Sequence, residues 1–417
     1  MKVLEIIGNA PLMGSVSIGG AKNSAVALIP ATLLSNSKTT LTNVPDITDI
    51  DVLCEILEFM NVKVTRASGS IVIDPREMRN VIIPDELTNK LRASYYFMAA
   101  LLAKYKHVSI HFPGGCKIGS RPIDQTLKVF RALGATIHEE EFLFTIEAEE
   151  LIGNEINLDM PSVGATVNAI IVGTFAKGET IINNAAKEPE IVDLANMLNK
   201  MGAKITGAGE STIKIVGVSE LGGCFHNVIP DRIEAGTYII LGALMGTYLT
   251  VENIITEHLS ALLEKLQEMG VNLEINSDSV VVNTSNSLKA VNIETHGYPG
   301  FPTDLQQPMV TLLTQAQGKS EVLETIYENR FMNTKYLNKM GANISVKERT
   351  ATILGPNKLH GTMVEATDLR GAASLLLAAL KADGKTTITN VEYLLRGYSD
   401  IVEKLSNIGA KIELKEI

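Results

Sequence analysis

The sequence predicts an α/β protein built from six copies of one βαβαββ-type unit, with three copies in each half of the chain. The first observation behind this prediction is a Gly-Ala or Gly-Val pair that follows a helical pattern and precedes a strand pattern. These pairs recur about every 68 to 73 residues, which is too regular for chance and too long for an ordinary solenoid repeat. The glycines are Gly134, Gly202, Gly270, Gly341 and Gly409, and Asn61 stands at the matching place in the first copy.

The second observation is that helix and strand patterns alternate in the same order in every copy. In the third copy, residues 165–176 predict an apolar helix and residues 179–183 predict a strand. An amphipathic helix over residues 190–201 then ends at Gly202, a residue type that commonly caps helices, and closing strands follow. Three copies precede the segment around Pro230 and three follow it, which indicates two equivalent halves.

The first helix of each copy is apolar nearly all round and is therefore expected in the interior, whereas the second helix carries a charged face. The apolar runs are too short to span a bilayer. First helices are predicted over residues 23–34, 91–103, 165–176, 234–246, 304–315 and 370–382. Second helices are predicted over residues such as 52–60, 124–133, 190–201 and 399–408.

Composition and charge are typical of a soluble globular protein. The chain has 417 residues, of which 45% are hydrophobic and 20% are charged, and its formal net charge is −10. This charge argues against a large nucleic-acid footprint, because nucleic-acid binding needs a basic face. The length predicts roughly two or three domains, each large enough for its own core.

Cysteine and histidine usage limits the kinds of disulfide and metal site that the chain can contain. Cys54, Cys116 and Cys224 are odd in number and far apart, so no disulfide framework or zinc spacing is visible and a reducing cytoplasm is expected. No signal-peptide apolar core follows Met1. The seven histidines form no pair of metal-ligand spacing, and no P-loop or Rossmann glycine motif is present. We therefore expect no metal site.

Four cationic side chains stand at the predicted starts of buried helices. They are Lys22, Arg92, Arg232 and Arg370. A helix N-terminus already carries partial positive charge and free N–H groups, so a cation there costs helix stability. One such residue alone would be interpreted as a solvated loop cation, but the set of four indicates a shared anion site.

Loops before the second helices add further cations. These are Lys187, Arg330 and Arg396. Guanidinium groups bind both phosphate and carboxylate in a bidentate geometry. Several arginines around one small ligand therefore predict a ligand with more than one negative charge, for which a phosphate plus a carboxylate is a good match.

The segment 113–122 holds two prolines and three glycines and predicts an exposed loop. Cys116 lies in this loop, beside Lys117 and five residues before Arg121. Nearby cations lower the pKa of a thiol and favour its reactivity. Cys116 is therefore predicted to be functional, whereas the other two cysteines are interpreted as small buried hydrophobic residues.

Several motifs are similar to those of the UDP-N-acetylglucosamine 1-carboxyvinyltransferase family, the enolpyruvyl transferases of the first committed step of peptidoglycan synthesis. The resemblance runs from Lys2 to Glu413, in order and without large gaps, and its motifs are long and specific. The motifs are Gly20-Ala21-Lys22-Asn23, Pro113-Gly114-Gly115-Cys116, Arg121-Pro122, Glu188-Pro189-Glu190-Ile191-Val192-Asp193, Pro230-Asp231-Arg232-Ile233-Glu234, Phe301-Pro302-Thr303-Asp304, Glu328-Asn329-Arg330-Phe331 and Ala366-Thr367-Asp368-Leu369-Arg370.

The resemblance implies a two-domain inside-out α/β barrel with three copies of the unit in each domain. One domain would span residues 22–229 and carry the Cys116 loop as a lid. The other would combine residues 1–21 with residues 230–417, and the active site would lie in the cleft between the two domains. Closure with the lid would exclude water from a charged intermediate.

The resemblance also implies the reaction. Phosphoenolpyruvate and UDP-N-acetylglucosamine would be the substrates, and addition–elimination would place the enolpyruvyl group on the 3-hydroxyl of the sugar and release phosphate. No metal, organic cofactor, nucleic acid, membrane insertion or obligate protein partner is implied. The two anionic groups of phosphoenolpyruvate match the arginine set described above.

The same resemblance implies binding roles for individual residues. Arg330 and Arg370 would hold the carboxylate of phosphoenolpyruvate. Its phosphate would be held by Lys22, Arg121 and Arg396, with Asn23 also in the phosphoenolpyruvate site. The nucleotide sugar would be bound by Asn23, Arg92, Arg121, Pro122, Ile123, Asp124, Gln125, Ser162, Val163, Gly164, Asp304 and Ile326.

Three residues are implied to be catalytic. Asp304 would accept the proton of the sugar hydroxyl, a general-base role that is compatible with a place in the first turn of a helix. Cys116 would donate a proton, form an adduct with phosphoenolpyruvate and be alkylated by fosfomycin. Lys22 would help to protonate the enol carbon.

Three alternatives stay open at the level of sequence. The first is the sister enzyme, 3-phosphoshikimate 1-carboxyvinyltransferase, against which the lid cysteine and the Lys22-Asn23 pair argue. The second is a catalytically silent paralogue that binds a nucleotide sugar, for which the sequence hint is Leu395 before Arg396, where the family usually has an acid. The third is a repeat-built nucleic-acid clamp, which the net charge of −10 disfavours.

Overall fold

The computed structural model describes residues 2–114, 118–119, 122–140, 143–246, 248–283 and 287–416. Within these residues, short strands and helices alternate along the chain. The strands are β1 (Lys2–Ile7), β2 (Gly14–Ser17), β3 (Thr39–Thr42), β4 (Lys63–Ala67), β5 (Ser70–Asp74), β6 (His107–His111), β7 (Thr136–Glu140), β8 (Leu143–Glu147), β9 (Glu155–Asn157), β10 (Glu179–Asn183), β11 (Lys204–Thr206), β12 (Thr212–Val216), β13 (Phe225–Asn227), β14 (Leu249–Glu252), β15 (Asn272–Ile275), β16 (Ser279–Asn283), β17 (Ile293–Glu294), β18 (Gly318–Leu323), β19 (Ile344–Lys347), β20 (Thr350–Gly355), β21 (Met363–Glu365), β22 (Lys385–Thr389) and β23 (Lys411–Glu416).

The helices of the described chain differ in length from one turn to nearly four turns. They are α1 (Lys22–Ala31), α2 (Thr48–Phe59), α3 (Asp85–Thr88), α4 (Tyr96–Tyr105), α5 (Asp124–Ala132), α6 (Val163–Gly173), α7 (Pro189–Met201), α8 (Arg232–Met245), α9 (Ser260–Glu268), α10 (Thr303–Leu313), α11 (Thr334–Lys339), α12 (Leu369–Lys381), α13 (Glu392–Leu395) and α14 (Ile401–Asn407), with 3₁₀ turns at Thr32–Leu34, Arg92–Tyr95 and Thr256–Leu259. No helix in the described part of the chain is both long and apolar enough to cross a membrane.

The repeated Gly positions terminate the second helix of each copy in a left-handed backbone conformation. The five glycines have φ angles between 87° and 111°, which side chains with a Cβ atom rarely adopt. Asn61 takes the same role in the first copy with φ of 62°, and its side-chain amide donates to the Glu77 carbonyl oxygen at 2.8 Å. Asn61, which stands at the matching place in the sequence, is therefore the structural equivalent of the capping glycine.

The chain divides into two compact units. The first unit comprises Met1–Gly19, Cys116–Ser120 and Pro230–Ile417, and the second comprises Gly20–Gly115 and Arg121–Ile229. The domain boundaries expected from the sequence differ from these units at residues 20–21 and at the short segment that includes Ile118. The backbone N–H of Asn329 donates to the Ile118 carbonyl oxygen at 3.0 Å, so Ile118 is bonded to a residue of the first unit.

One sheet topology recurs through both units. In each four-stranded sheet, an outer strand runs parallel to its neighbour and the two remaining pairs are antiparallel. The four-stranded orders are β13-β3-β5-β4, β9-β10-β12-β11, β2-β14-β16-β15, β17-β18-β20-β19 and β21-β22-β1-β23, and the second copy forms the sheet β6-β8-β7 with a parallel bridge from Ile83 to Ile110.

Strands that are remote in sequence complete three of these sheets. β1 lies between β22 and β23, with Leu4 opposite both Ile388 and Leu414. β2 runs parallel to β14, so residues 2–17 finish two copies of the first unit. In the second unit, β13 runs parallel to β3 and completes the first copy. Each unit therefore contains at least one sheet that is completed by a strand remote in sequence from the rest of that sheet.

The first helix of each copy lies in the interior of its unit. In the second unit, α4 packs against both α1 and α6, and in the first unit α8, α10 and α12 pack against one another. Their side chains are buried on nearly every face, as the apolar patterns predict. The strands bury alternate residues, so each unit has helices inside and sheets outside, and the α/β fold class predicted from the sequence is confirmed.

The predicted helices mostly match the observed ones to within a few residues, with two differences. In place of the helix predicted over residues 91–103, the chain forms a 3₁₀ turn over Arg92–Tyr95 and then α4, which begins at Tyr96. The helix predicted over residues 399–408 is the shorter α14, and the preceding one-turn helix α13 was not predicted.

Candidate functional site

The four cations predicted at helix starts lie at helix starts in the structure. Lys22 is the first residue of α1, Arg232 is the first residue of α8, and Arg370 is the second residue of α12. Arg92 begins the 3₁₀ turn that leads into α4. Positive side chains therefore stand where the helix dipoles already attract anions.

Aspartate caps hold two of these helix starts. Asp231 and Asp368 each accept hydrogen bonds from the backbone N–H groups two and three residues further on, at 2.8–3.1 Å. Such caps satisfy free N–H groups and oppose the charge that the adjacent arginine adds. The arginines are thereby tolerated at positions that otherwise disfavour cations.

Within the first unit, Asp304 joins two of the predicted arginines in one charged cluster. Its Oδ1 atom lies 2.5 Å from an Arg330 guanidinium nitrogen and its Oδ2 atom lies 2.9 Å from an Arg370 guanidinium nitrogen. The arginine side chains are each 3% exposed, whereas the Asp304 side chain is 26% exposed. The cluster is therefore buried from the arginine side and open to solvent at the carboxylate.

The charges in this cluster control the ionisation of Asp304. Burial alone would raise the pKa of Asp304, but the positive charges of Arg370 and Arg330 outweigh burial and hold the pKa well below its ordinary range. Arg232 acts in the same direction from the start of α8. Asp304 is thus a carboxylate at every physiological pH.

The two buried arginines retain unused hydrogen-bond donors. The Nε atoms of Arg330 and Arg370 are buried and have no hydrogen-bond partner among the described residues. Two guanidinium groups facing a single carboxylate also leave one excess positive charge. Buried donors and charges are normally satisfied, so this cluster is suited to an additional anion.

The segment that carries Arg396 contributes an aromatic side chain to the cluster. The Arg370 guanidinium lies 5.5 Å from the ring centre of Tyr398, and the Tyr398 hydroxyl lies 3.0 Å from Thr237 Oγ1. Arg396 itself follows the last residue of α13, Leu395. Leu395 packs against the hydrophobic core of the unit, so its apolar character has a structural use.

In the second unit, Lys22 is paired with an acid that the sequence did not reveal. Lys22 Nζ lies 2.7 Å from Asp49 Oδ2, and the two side chains are 12% and 3% exposed. Asp49 lies in the first turn of α2, where its negative charge is favourable. Asn23 follows Lys22 as the second residue of α1 and is partly buried.

Close to Lys22, one buried carboxylate holds two distant parts of the chain. Asp193 accepts a hydrogen bond from the Ser24 hydroxyl and one from the backbone N–H of Ile229, the latter at 3.4 Å. His226 Nε2 lies 2.8 Å from the other oxygen of the same carboxylate. The Asp193 carboxylate therefore fixes the start of α1 against the end of β13.

Two predicted nucleotide-sugar positions meet around a tyrosine. The Arg92 guanidinium lies 5.5 Å from the ring centre of Tyr95, and a Cβ atom added at Gly164 would lie 1.5 Å from the Tyr95 hydroxyl. Gly164 therefore leaves the space that this hydroxyl occupies. Ser162 caps α6 by accepting a hydrogen bond from the backbone N–H of Ala165 at 3.3 Å, and Val163 is the first residue of that helix.

The segment before α5 is held by an amide. Gln125 is buried and donates to Asp159 Oδ2 at 2.8 Å, while its carbonyl oxygen accepts from the Asp159 backbone N–H at 2.9 Å. Asp124 and Pro122 are exposed and Ile123 is partly buried. Residues 122–125 thus offer exposed groups on a fixed backbone.

The remaining predicted residues are either separate from the charged cluster or outside the described chain. Ile326 is 41% exposed, and its backbone N–H donates to Glu324 Oε1 at 2.9 Å. Cys116 and Arg121 lie outside the described residues. Cys54 is buried, and burial raises the pKa of its thiol to about 11, which confirms its interpretation as a core residue.

Sequence reasoning missed several polar residues that the fold of each unit places beside predicted site residues or beside the charged cluster. These are Asp49, Tyr95, Gln307, Asn333 and Tyr398. The pair Gln306-Gln307 inside an otherwise apolar helix was the one visible signal. No group of three or more potential metal ligands occurs in the part of the chain that the structure describes.

Comparison with protein-family models matches residues 6–405 to the family described as EPSP synthase (3-phosphoshikimate 1-carboxyvinyltransferase). Among curated proteins, the chain is 50% identical over 412 residues to UDP-N-acetylglucosamine 1-carboxyvinyltransferase 2 of Geobacillus kaustophilus, covering 99% of this chain and 96% of the relative. It is 49% identical over 409 residues to the protein of the same name from Listeria monocytogenes, with 98% and 97% coverage.

Solved structures give the same picture of the fold. The enolpyruvyl transferase NikO from Streptomyces tendae superposes with a TM-score of 0.91 at 28% identity, covering 99% of both chains. EPSP synthase from Acinetobacter baumannii superposes with a TM-score of 0.76 at 20% identity over 100% of both chains, and at that identity the likeness concerns the fold alone.

Proposed function

The chain belongs to the UDP-N-acetylglucosamine 1-carboxyvinyltransferases within the enolpyruvyl transferase family, and from this premise we propose how its residues carry the reaction. The enzyme transfers the enolpyruvyl group of phosphoenolpyruvate to the 3-hydroxyl of UDP-N-acetylglucosamine and releases phosphate, the first committed step of peptidoglycan synthesis. The observation that carries the proposed mechanism is the ion-paired cluster of Asp304 with Arg330 and Arg370.

Arg330 and Arg370 bind the carboxylate of phosphoenolpyruvate. Their buried guanidinium groups, their unpartnered Nε donors and the excess positive charge support this assignment. A bidentate guanidinium–carboxylate contact is among the strongest hydrogen-bonded pairs available to a protein. The substrate carboxylate would therefore complete the hydrogen bonding that the cluster lacks.

Asp304 accepts the proton of the sugar 3-hydroxyl. Its low pKa makes it a weak base while both arginines face it alone. When the substrate carboxylate takes up those arginines, their charges are neutralised and the pKa of Asp304 rises toward its ordinary value. Substrate binding thus strengthens the base at the moment when the proton is transferred.

The phosphate is bound by Lys22, Arg121 and Arg396, with Asn23 in the same site. The place of Lys22 at the start of α1 supports this role, because helix N-termini favour phosphate. Cys116 donates a proton to the methylene carbon, with Lys22 assisting, while the sugar oxygen attacks the neighbouring carbon. Loss of a proton from the new methyl group then expels phosphate and restores the double bond.

The nucleotide sugar is bound by residues 122–125 together with Arg92, Ser162, Val163 and Gly164, and by Asn23, Arg121, Asp304 and Ile326. The contact of Arg92 with Tyr95 and the space that Gly164 leaves for the tyrosine hydroxyl support a shared binding surface. The exposed side chain of Ile326 is available for apolar contact. We place the reaction in the cytoplasm, which the free thiols of Cys54 and Cys224 support.

A phosphate-release assay tests the proposed function. Purified protein is incubated with phosphoenolpyruvate and either UDP-N-acetylglucosamine or shikimate 3-phosphate. We expect phosphate release with the nucleotide sugar and none with shikimate 3-phosphate. Release with shikimate 3-phosphate alone would reject the proposed acceptor, and binding of the nucleotide sugar without any release would reject the proposed catalysis.

A further inference from the structure

A buried network of polar side chains lies one helical turn along from the charged cluster. Gln307 is three residues after Asp304 on α10, and its amide nitrogen is the donor at the centre of the network. It lies 3.2 Å from Asn333 Oδ1 and 3.1 Å from Asp368 Oδ2. A single side chain therefore contacts two other segments of the first unit.

Both contacts of Gln307 are made next to a member of the charged cluster. Asn333 stands three residues after Arg330, and Asp368 stands two residues before Arg370 and caps its helix. The three segments that carry Asp304, Arg330 and Arg370 thus converge on one amide group. The Asp304 carboxylate joins the same three segments within the charged cluster, so the Gln307 amide is a second, buried junction between them.

Further hydrogen bonds extend the same connection. The Asn333 amide nitrogen donates to Ser374 Oγ at 2.8 Å, and Ser374 Oγ lies 2.8 Å from Thr311 Oγ1. Thr311 is one turn beyond Gln307 on α10, and Ser374 is one turn beyond Arg370 on α12. All these side chains are buried, where a hydrogen-bonded polar network fixes geometry more strictly than apolar packing does.

The backbone leaves space for this contact at one glycine. A Cβ atom added at Gly371 would lie 2.8 Å from Asp368 Oδ2 and 3.2 Å from Gln307 Nε2. It would also lie 2.5 Å from Thr367 Oγ1. Any larger residue at position 371 would displace the acceptor and the donor from each other.

The neighbouring glutamine provides a contrast within the same helix. Gln306 is as fully buried as Gln307, yet neither its amide nitrogen nor its amide oxygen has a hydrogen-bond partner among the described residues. Because both glutamine side chains are fully buried, burial does not distinguish Gln307 from Gln306. Its distinguishing feature is the pair of acceptors on the two arginine-bearing segments.

We propose that Gln307 is a positioning residue that fixes Arg330 and Arg370 relative to Asp304, so that the two guanidiniums can bind the carboxylate of phosphoenolpyruvate together. The inference rests on the proposed function, because it assigns Gln307 a role in the same site. Gln307 does not touch the reacting atoms and acts through Asn333 and Asp368. Its loss would loosen the spacing of the two arginines without removing either charge.

Gln307→Met tests the proposal, because methionine keeps the length of the side chain and removes the donor. Misplacement of binding groups costs up to about a hundredfold in rate, so we expect kcat/KM for phosphoenolpyruvate to fall about ten- to a hundredfold. The KM for UDP-N-acetylglucosamine should change no more than about twofold, because most of its proposed contacts lie on other segments. The matched control is Gln306→Met, for which both substrates should retain wild-type kinetics.

Thermal unfolding of both variants separates positioning from stability. Equal loss of kcat/KM in the two variants, or an equal loss for both substrates, would overturn the proposal. If Gln307→Met does not fold, Gly371→Ala decides, since alanine favours the helix but intrudes between Gln307 and Asp368. Wild-type kinetics in folded Gly371→Ala would then overturn it.

A direct binding measurement keeps this inference separate from the proposed function. If the wild-type protein released no phosphate with UDP-N-acetylglucosamine, the proposed acceptor would fail on its own. Calorimetric binding of 2-phospholactate, a saturated compound with the same phosphate and carboxylate, would still test Gln307. We expect weaker binding to Gln307→Met than to the wild type and to Gln306→Met, and unchanged binding would overturn the inference.

Discussion

At the residue scale, the carboxylate of Asp304 is bound by the two guanidinium groups that we propose for binding the substrate carboxylate. The two anions therefore compete for Arg330 and Arg370. Asp304 is held on its own backbone and pays no entropy of association, whereas the substrate brings a second charge and further contacts. The resting ion pairs neutralise the charge of the two buried arginines only in part, so the cluster can still attract a second anion.

Replacement of Asp304 by Asn should separate binding from chemistry. The amide cannot accept the sugar proton, so turnover should fall at least about a hundredfold, the usual lower range for a general base. Because the arginines lose their internal anion, 2-phospholactate should bind more tightly than it binds to the wild type, as measured by calorimetry.

The control for this variant is Asp278→Asn, which removes one negative charge from an exposed residue of the same unit. It should change neither turnover nor binding of the analogue. Weaker binding of 2-phospholactate to Asp304→Asn than to the wild type would contradict the competition between the two carboxylates.

The thiols of Cys116 and Cys54 should differ in reactivity. Cys116→Ser should lose fosfomycin labelling and most turnover, because serine is a poorer nucleophile and proton donor. Burial raises the pKa of Cys54 to about 11, so this thiol is protonated at neutral pH and Cys54→Ala should be labelled like the wild type. Intact-protein mass spectrometry measures the labelling, and normal turnover of Cys116→Ser would refute the proton-donor role.

At the scale of elements, a buried ion pair joins α8 to α14. Lys404 Nζ lies 2.6 Å from Glu234 Oε1, and the other carboxylate oxygen accepts from the Gly19 backbone N–H at 3.2 Å. Burial raises the pKa of Glu234, and Lys404 opposes this shift only in part. The pair therefore keeps a charged carboxylate inside the protein at a substantial desolvation cost.

Lys404→Met should destabilise the protein in a pH-dependent manner. Removal of one partner of a buried pair costs about 3–5 kcal/mol. Without Lys404 the folded-state pKa of Glu234 rises further above its unfolded value, so the protonated acid is tolerated at low pH. The loss of stability should therefore be small near pH 4 and should grow as the pH rises through the raised pKa.

Thermal unfolding at pH 5 and pH 8 measures this effect. The variant should lose more of its Tm at pH 8 than at pH 5, relative to the wild type at each pH. The double variant Glu234→Gln/Lys404→Met removes the stranded charge and should recover most of the difference at pH 8. Equal losses of Tm at the two pH values would show that Lys404 acts through packing alone.

At the scale of the whole molecule, each unit depends on strands that are remote in sequence. β1 occupies an inner position of the sheet β21-β22-β1-β23 and buries Val3, Leu4 and Ile6. Burial of such side chains contributes about 1.5–3 kcal/mol each. β23, in contrast, is an edge strand of the same sheet with mostly exposed side chains.

Deletion of residues 2–7 should therefore prevent the first unit from folding, because β23 loses the strand that it pairs with and β22 loses one of its two partners. Deletion of residues 412–417 removes the same number of residues from the edge and should lower Tm by a smaller amount. Soluble expression and circular dichroism compare the two truncations. Equal behaviour of the two truncations would contradict the structural importance of the inner strand.

Local patterns in the sequence predicted a large part of the fold. The apolar helices and the capping positions at Gly134, Gly202, Gly270, Gly341, Gly409 and Asn61 were predictable, because a left-handed cap and an apolar helix each require particular residue types in a short window. The cations at helix starts were also predictable, because the apolar pattern of each helix shows in the sequence where that helix begins. The family motifs then supplied the expected roles of Cys116, Asp304 and the arginines.

Only the tertiary structure decided which of these residues are partners. Asp49 faces Lys22 across 2.7 Å, and Gln307 joins Asn333 to Asp368, although nothing in the local sequence marks any of these pairs. Such contacts arise when helices and loops pack together within one copy or between neighbouring copies, so they depend on chain segments tens of residues apart. The sequence by itself determined the repeating unit and its chemical groups, whereas the packing of the copies determined which charges neutralise one another and which remain available for a ligand.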